Sequence, residues 1–174
     1  MKTIEEMKIV LVNSSAEDFL KKLENFNIFE YDKYGNDIVH YFINNYKDIK
    51  IEFVKIMDLL LKKGLNIDTK QKTGNFQRSY LQLSVMNNIK NIFDFLIKNG
   101  ADVNSIDKNG NTVLFNAVMN YFKDKENYSY YIEKLLIEGA DPKLKNNNGI
   151  SAVKLANEID NSDVKKFFKS INKK

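Results

Sequence analysis

A five-residue phrase built around a glycine recurs along the chain, and that recurrence constrains the fold more than any other feature. Asp32-Lys33-Tyr34-Gly35-Asn36 returns as Asp107-Lys108-Asn109-Gly110-Asn111. Gln71-Lys72-Thr73-Gly74-Asn75 lies between them, and Asn146-Asn147-Asn148-Gly149-Ile150 follows. A second glycine series closes apolar stretches: Leu60-Leu61-Lys62-Lys63-Gly64, Leu96-Ile97-Lys98-Asn99-Gly100 and Leu136-Ile137-Glu138-Gly139. The pairs Gly35/Gly110, Gly64/Gly139 and Gly74/Gly149 are each 75 residues apart, as duplication of a two-unit block would leave them. In such a chain each unit buries its apolar face only against its neighbours.

One unit reads as a turn followed by two helices. A glycine after an apolar helix face permits the left-handed C-terminal cap. The Asp/Asn-rich phrase and the next glycine form a turn, and Thr112 or Ser151 then caps the following helix. The second helix of the unit after Gly74 carries Ile89, Ile92, Phe93, Leu96 and Ile97, one apolar face at helical spacing. The same face returns as Tyr128, Tyr131, Ile132, Leu135 and Leu136, and as Val164, Phe167, Phe168 and Ile171. Ser15 with Asp18 resembles a capping box opening a helix of Phe19, Leu20 and Leu23. Lys165, Lys166, Lys169, Lys173 and Lys174 make the last helix polar outside, as a solvated terminal face requires.

With Ala101-Asp102-Val103-Asn104 after Gly100, and with Gly110-Asn111-Thr112-Val113-Leu114, the chain resembles the ankyrin-repeat family over about residues 26 to 171. His40, in Asp37-Ile38-Val39-His40, falls at the family's histidine. The resemblance implies an all-α ankyrin-repeat solenoid of helix-turn-helix units. The expected arrangement is one domain over 1–174: an N-terminal cap repeat at 1–30, full repeats at 31–70, 71–106 and 107–145, and a C-terminal cap repeat at 146–174. The chain departs from the family pattern in places. Proline is missing from every Thr-Pro-Leu-His position, Gln82, Phe115 and Lys154 replace the histidine, and Phe76 to Arg78 look inserted. These departures are expected to weaken hydrogen bonding between turns. The first and third full repeats are enlarged: Val39 to Leu59 and Leu114 to Lys134 each span 20 residues, against 14 from Leu81 to Phe95. The extra residues, around Tyr46 to Ile51 and Tyr121 to Glu126, should lengthen the helices or the loops between them.

Composition narrows the function. There is no cysteine, which excludes disulfides and thiolate metal sites. The lone histidine has no second ligand nearby in sequence, so His40 is read as a structural residue bonded to the neighbouring turn. No phosphate-cradling glycine motif occurs. No cofactor, metal or catalytic site is expected. Net charge is +4, from 27 basic and 23 acidic residues, and Arg78 is the single arginine; a nucleic-acid partner is not expected. No stretch reaches the roughly 18 apolar residues of a membrane span, and Met1 to Val12 lacks the apolar run of a signal peptide. The expectation is a cytoplasmic protein, monomeric when free, with no membrane partner.

Where ankyrin-like proteins bind, the resemblance implies the concave side. The turn tips would be Lys33, Tyr34, Asn36, Lys72, Thr73, Asn75, Lys108, Asn109, Asn111, Asn147 and Asn148. The inner helix positions would include Asn44, Asn45, Met86, Asn87, Met119 and Asn120. Tyr46 and Tyr121 join them as aromatic contact residues, since tyrosine offers large amphipathic area at low entropy cost. Phe76, Gln77 and Arg78 would protrude from the second tip as a hot spot, the alternative being a loop tucked back on its own repeat. This surface reads as adaptable and hydrogen-bonding, not strongly charged. The expected function is a non-catalytic protein–protein interaction module, an immunity or antitoxin protein neutralising a cognate toxin by occlusion. The alternative is a secreted effector or viral ankyrin protein that recruits a host protein.

Overall fold

The computed structural model describes residues 2–158 and 162–169. The helices are α1 (Ile4–Asn13), α2 (Ala16–Glu24), α3 (Ile38–Asn44), α4 (Phe53–Lys62), α5 (Tyr80–Met86), α6 (Lys90–Lys98), α7 (Val113–Asn120), α8 (Lys125–Ile137), α9 (Ala152–Glu158) and α10 (Ser162–Lys165). Among the described residues there is no strand. Isolated antiparallel bridges close the hairpin bases at Lys70/Ser79, Ile106/Thr112 and Lys145/Ser151.

Local chemistry sets the helix ends. Thr3, Ser15, Asp37, Ser79 and Thr112 each accept backbone N–H bonds from the first turn of the helix that follows, satisfying donors that have no partner within the helix. Gly64, Gly100 and Gly139 follow α4, α6 and α8 in the left-handed region. The next N–H folds back in each case: Leu65 to Leu60 O at 3.0 Å, Ala101 to Leu96 O at 3.0 Å, Ala140 to Leu135 O at 2.9 Å. This is the cap expected where an apolar helix stops at glycine.

The odd-numbered helices form one layer, with α1 against α3, α3 against α5, α5 against α7 and α7 against α9. Small buried residues, among them Ser84, Ala117, Ala152 and Ala156, allow close approach in this inner layer. The even-numbered helices meet through rings. Phe53 of α4 stands edge-on to Phe95 of α6 at 5.5 Å, and Phe93 of α6 to Tyr131 of α8 at 4.8 Å. The principal helix contacts lie within a unit or between adjoining units, so one elongated core runs through the chain.

The two enlargements take different forms. In the first, a 3-10 turn at Tyr46–Asp48 leads into an extended stretch pinned by buried Ile49 and Ile51. In the third, a 3-10 turn at Tyr121–Lys123 is followed by Asp124, whose carboxylate accepts the Asn127 N–H at 3.1 Å. That cap starts α8 early and gives it 13 residues, against 10 in α4. Glu52, before α4, makes no side-chain cap bond. At the chain end Val164 and Phe168 are buried; Ile171, Lys173 and Lys174 lie outside the described residues.

Candidate partner-binding surface

The hairpin tips are built from their own side chains and then bonded to one another. Asp32 accepts the N–H groups of Tyr34 (2.9 Å) and Asn36 (2.8 Å). Asp107 does the same for Asn109 and Asn111, each at 2.9 Å, and the Asn146 Oδ1 for Asn148 and Ile150, each at 3.0 Å. Backbone bonds join successive tips: Lys72 N–H to Gly35 O at 2.9 Å, Lys108 N–H to Phe76 O at 2.6 Å, Asn147 N–H to Asn109 O at 3.0 Å. Carboxamides cross-link them again, Gln71 Nε2 to Asn36 Oδ1 at 2.7 Å and Asn146 Nδ2 to Asn111 Oδ1 at 2.8 Å.

Lys33, Tyr34, Lys72, Thr73, Asn75, Phe76, Lys108, Asn109, Asn147 and Asn148 are exposed along this edge. Asn36 and Asn111 are half-buried, and their amides serve the turns, so they are ladder residues more than contact residues. The insertion at Phe76 to Arg78 turns back on its own structure. Gln77 takes the left-handed conformation and donates to Lys72 O at 3.2 Å. Arg78 is half-buried, its guanidinium carbon 4.0 Å from the Phe76 ring centre. Of the three, Phe76 is the exposed one.

Asn44, Asn45, Tyr46 and Asn87 converge on a groove of about 520 Å³ between the end of α3 and the α5–α6 junction. Asn87 Nδ2 donates to Asn44 Oδ1 at 3.3 Å, and Asn91 Nδ2 to the Tyr46 hydroxyl at 2.7 Å. Asn91 and Lys90 line the groove too and were not foreseen. Met119 is exposed and Met86 half-exposed on the inner layer.

Two expected contact residues are corrected. Asn120 is 2 % exposed, its amide donating to Asn116 O at 2.8 Å. Tyr121 is also 2 % exposed, its ring set against Phe122 and Phe167. The 3-10 turn after α7 rotates Tyr121 into the core and presents Phe122 to solvent instead.

His40 is fully buried. Its Nδ1 lies 2.8 Å from Asp37 Oδ1 and its Nε2 3.3 Å from Arg78 O on the next hairpin. The Tyr80 hydroxyl donates to the other Asp37 oxygen, and burial, followed by the Asp37 charge, pushes that phenol well above its usual value. At the equivalent place one unit on, Gln82 Nε2 donates to Asn111 O at 2.9 Å. Replacement of histidine by glutamine therefore keeps the bond between turns at this position, whereas Phe115, one unit further on, has no side-chain group to make it.

The family model for ankyrin repeats (three copies) matches residues 50–146, more than half of the chain. The chain belongs to the ankyrin-repeat family. Ankyrin repeats mediate binding to other proteins and are in general non-catalytic interaction units. Comparison with curated proteins gives no match. Among the described residues of this ankyrin chain, no helix is long and apolar enough to cross a membrane.

Four tip residues escaped sequence reasoning. Lys70, Ile106 and Lys145 are exposed and Tyr31 half-exposed, all at one register, four residues before the tip glycine. That common offset was the signal available.

Proposed function

We propose that this ankyrin chain holds one partner protein across its hairpin tips and the inner faces of α3, α5 and α7, and performs no chemistry on it. The unbroken ladder of backbone bonds from Gly35 O to Asn147 N–H carries this reading. A surface fixed in advance loses little freedom on association, and an ordinary interface of about 800 Å² per partner suits such a face. The finer reading is occlusion: an immunity or antitoxin-type protein covering the working face of a cognate toxin. A rigid, bonded ridge supports blocking more than reshaping.

A photo-crosslinker placed at Asn75 or Met119 is expected to trap one protein in one-to-one ratio. The same group at Val54 or Ile137, exposed on the even-numbered helices, is expected to trap none. Equal trapping from the outer positions would remove the concave reading. Identification of the trapped protein as a toxin relieved by co-expression supports occlusion; a host protein left active by the complex would favour recruitment instead.

A further inference from the structure

The hairpin tips of this protein carry a net positive charge. Take each tip from four residues before its glycine to the residue preceding the helix cap: 31–36, 70–78, 106–111 and 145–150. These segments contain six cations, Lys33, Lys70, Lys72, Arg78, Lys108 and Lys145, and two carboxylates, Asp32 and Asp107. The tips therefore sum to +4 and the rest of the chain to zero, with a second cationic run at Lys165, Lys166, Lys169, Lys173 and Lys174 offset by acidic residues elsewhere. Both tip carboxylates are buried and engaged by turn N–H groups. Among the described residues none of the six cations forms an ion pair. The charged side chains that face solvent along this edge are cations, and only the first and third tips carry a carboxylate at all.

The cations are interleaved with apolar surface. Tyr34 is 62 % exposed, Phe76 41 % and Ile106 46 %. Lys33 lies over the Tyr34 ring and Lys72 over that of Tyr31, with the ammonium 5.0 Å and 3.8 Å from the ring centres. Bonding between tips holds these side chains in one row.

We infer that the ridge docks an extended acidic segment of a protein, one in which aspartate or glutamate alternates with apolar side chains. Lysines in a row attract such a segment and set its register, because complementary potentials steer encounter and exclude wrong partners. Tyr34, Phe76 and Ile106 supply the apolar contact that purely ionic surface pairs do not. Five of the six cations are lysines; phosphate recognition favours arginine forks, which ranks a protein segment above nucleic acid. The inference rests on the protein-binding reading given above and names the chemistry of the partner.

Fluorescence anisotropy of the full chain with four labelled probes tests it. The probes are a short peptide alternating glutamate with leucine and phenylalanine, its lysine counterpart, its serine counterpart, and an oligodeoxythymidylate. Only the glutamate peptide is expected to saturate, at one-to-one ratio, and to weaken as salt is raised. The K33E/K72E/K108E variant is expected to lose affinity about tenfold or more. K62E/K123E, exposed lysines away from the tips, is expected to bind as wild type, with matched circular dichroism for both variants. Equal binding of the serine peptide, tighter binding of the oligonucleotide, indifference to the triple reversal, or saturation by no probe would each overturn the inference. The readings separate through the cross-linked partner. Trapping from Asn75 of a protein whose contacting segment is not acidic leaves protein binding standing and sinks this inference, whereas trapping from the outer helices sinks the former.

Discussion

Lys8 Nζ lies 2.6 Å from Asp32 Oδ2, with both side chains inside the protein, and this pair ties the first helix to the first hairpin tip. Burial alone would raise the Asp32 carboxyl, but hydrogen bonds from Lys8, Asn36 and Tyr34 outweigh it and hold the group below its usual value. Lys8 behaves conversely: burial lowers it, and bonds to Asp32 and Glu5 raise it overall. The depressed carboxyl contributes stability that is complete above its unfolded value near 4 and is lost as pH falls through the folded value. The raised ammonium contributes below its unfolded value near 10.4 and loses that contribution as pH rises through the folded one. Lys8→Met is expected to cost about 3 kcal/mol by leaving a buried carboxylate unpaired, and Lys8→Met with Asp32→Asn to recover much of it. Urea melts at pH 7 and pH 3 measure both effects, and the acid-side loss should shrink in the double variant.

Exchange of His40 for the residue found one unit later gives a second expectation. Gln82 spans to the next hairpin as His40 does, so His40→Gln should keep that bond and cost about 1 kcal/mol or less. His40→Ala removes one of several partners of Asp37 and of Arg78 O, which keep the Tyr80 hydroxyl and the Gln71 N–H, and it opens a cavity beside Tyr80, whose ring centre is 4.5 Å away. A loss of roughly 3 kcal/mol is expected there. Thermal unfolding should rank the two in that order.

Two glycines with similar backbone angles should respond differently to alanine. Gly35 and Gly100 have φ of 78° and 81°. A Cβ on Gly35 would stand 2.2 Å from Thr73 N, whereas one on Gly100 meets nothing within 4 Å. Gly100→Ala carries only the left-handed penalty, about 1–2 kcal/mol. Gly35→Ala must also push the second hairpin off the first, so its cost should exceed that of Gly100→Ala by at least about 2 kcal/mol. Hydrogen exchange at Lys72 N–H reports the broken bond directly.

Exposure separates contact residues from core residues that look alike in sequence. Tyr34→Ala and Phe76→Ala are expected to change stability by about 0.5 kcal/mol or less while weakening partner capture. Tyr121→Ala is expected to cost about 3–5 kcal/mol, and any loss of capture should follow the loss of fold. Melts and binding titrations on the same preparations check the separation.

The repeat itself was legible because it rests on local chemistry. Gly35, Gly64, Gly74 and their partners mark left-handed backbone, Thr112 and Ser79 mark helix starts, and Ile92, Phe93 and Leu96 mark one face of a helix; each is settled within a few residues of chain. The structural role of His40 could be read as well, since its partners, Asp37 and the next turn, sit at positions the repeat dictates. The surface was less legible. Tyr121 and Phe122 are adjacent aromatics, and only the 3-10 turn after α7 decides which one faces water. The two six-residue enlargements look equivalent in sequence, yet the Asp124 cap turns one of them into helix.

Register, caps and the stacking of unit on unit were determined by the sequence alone, because hydrogen-bond geometry and apolar periodicity act over a turn or two. What the tertiary structure decided is which charges remain on the outside. Asp32 and Asp107 count against the tip lysines in any tally of residues, but turn N–H groups, and Lys8 in the case of Asp32, draw them into the protein. Lys8 compensates Asp32 from inside, Asp107 is left facing Arg78, and the lysines at the exposed edge are left without an acidic neighbour at the surface.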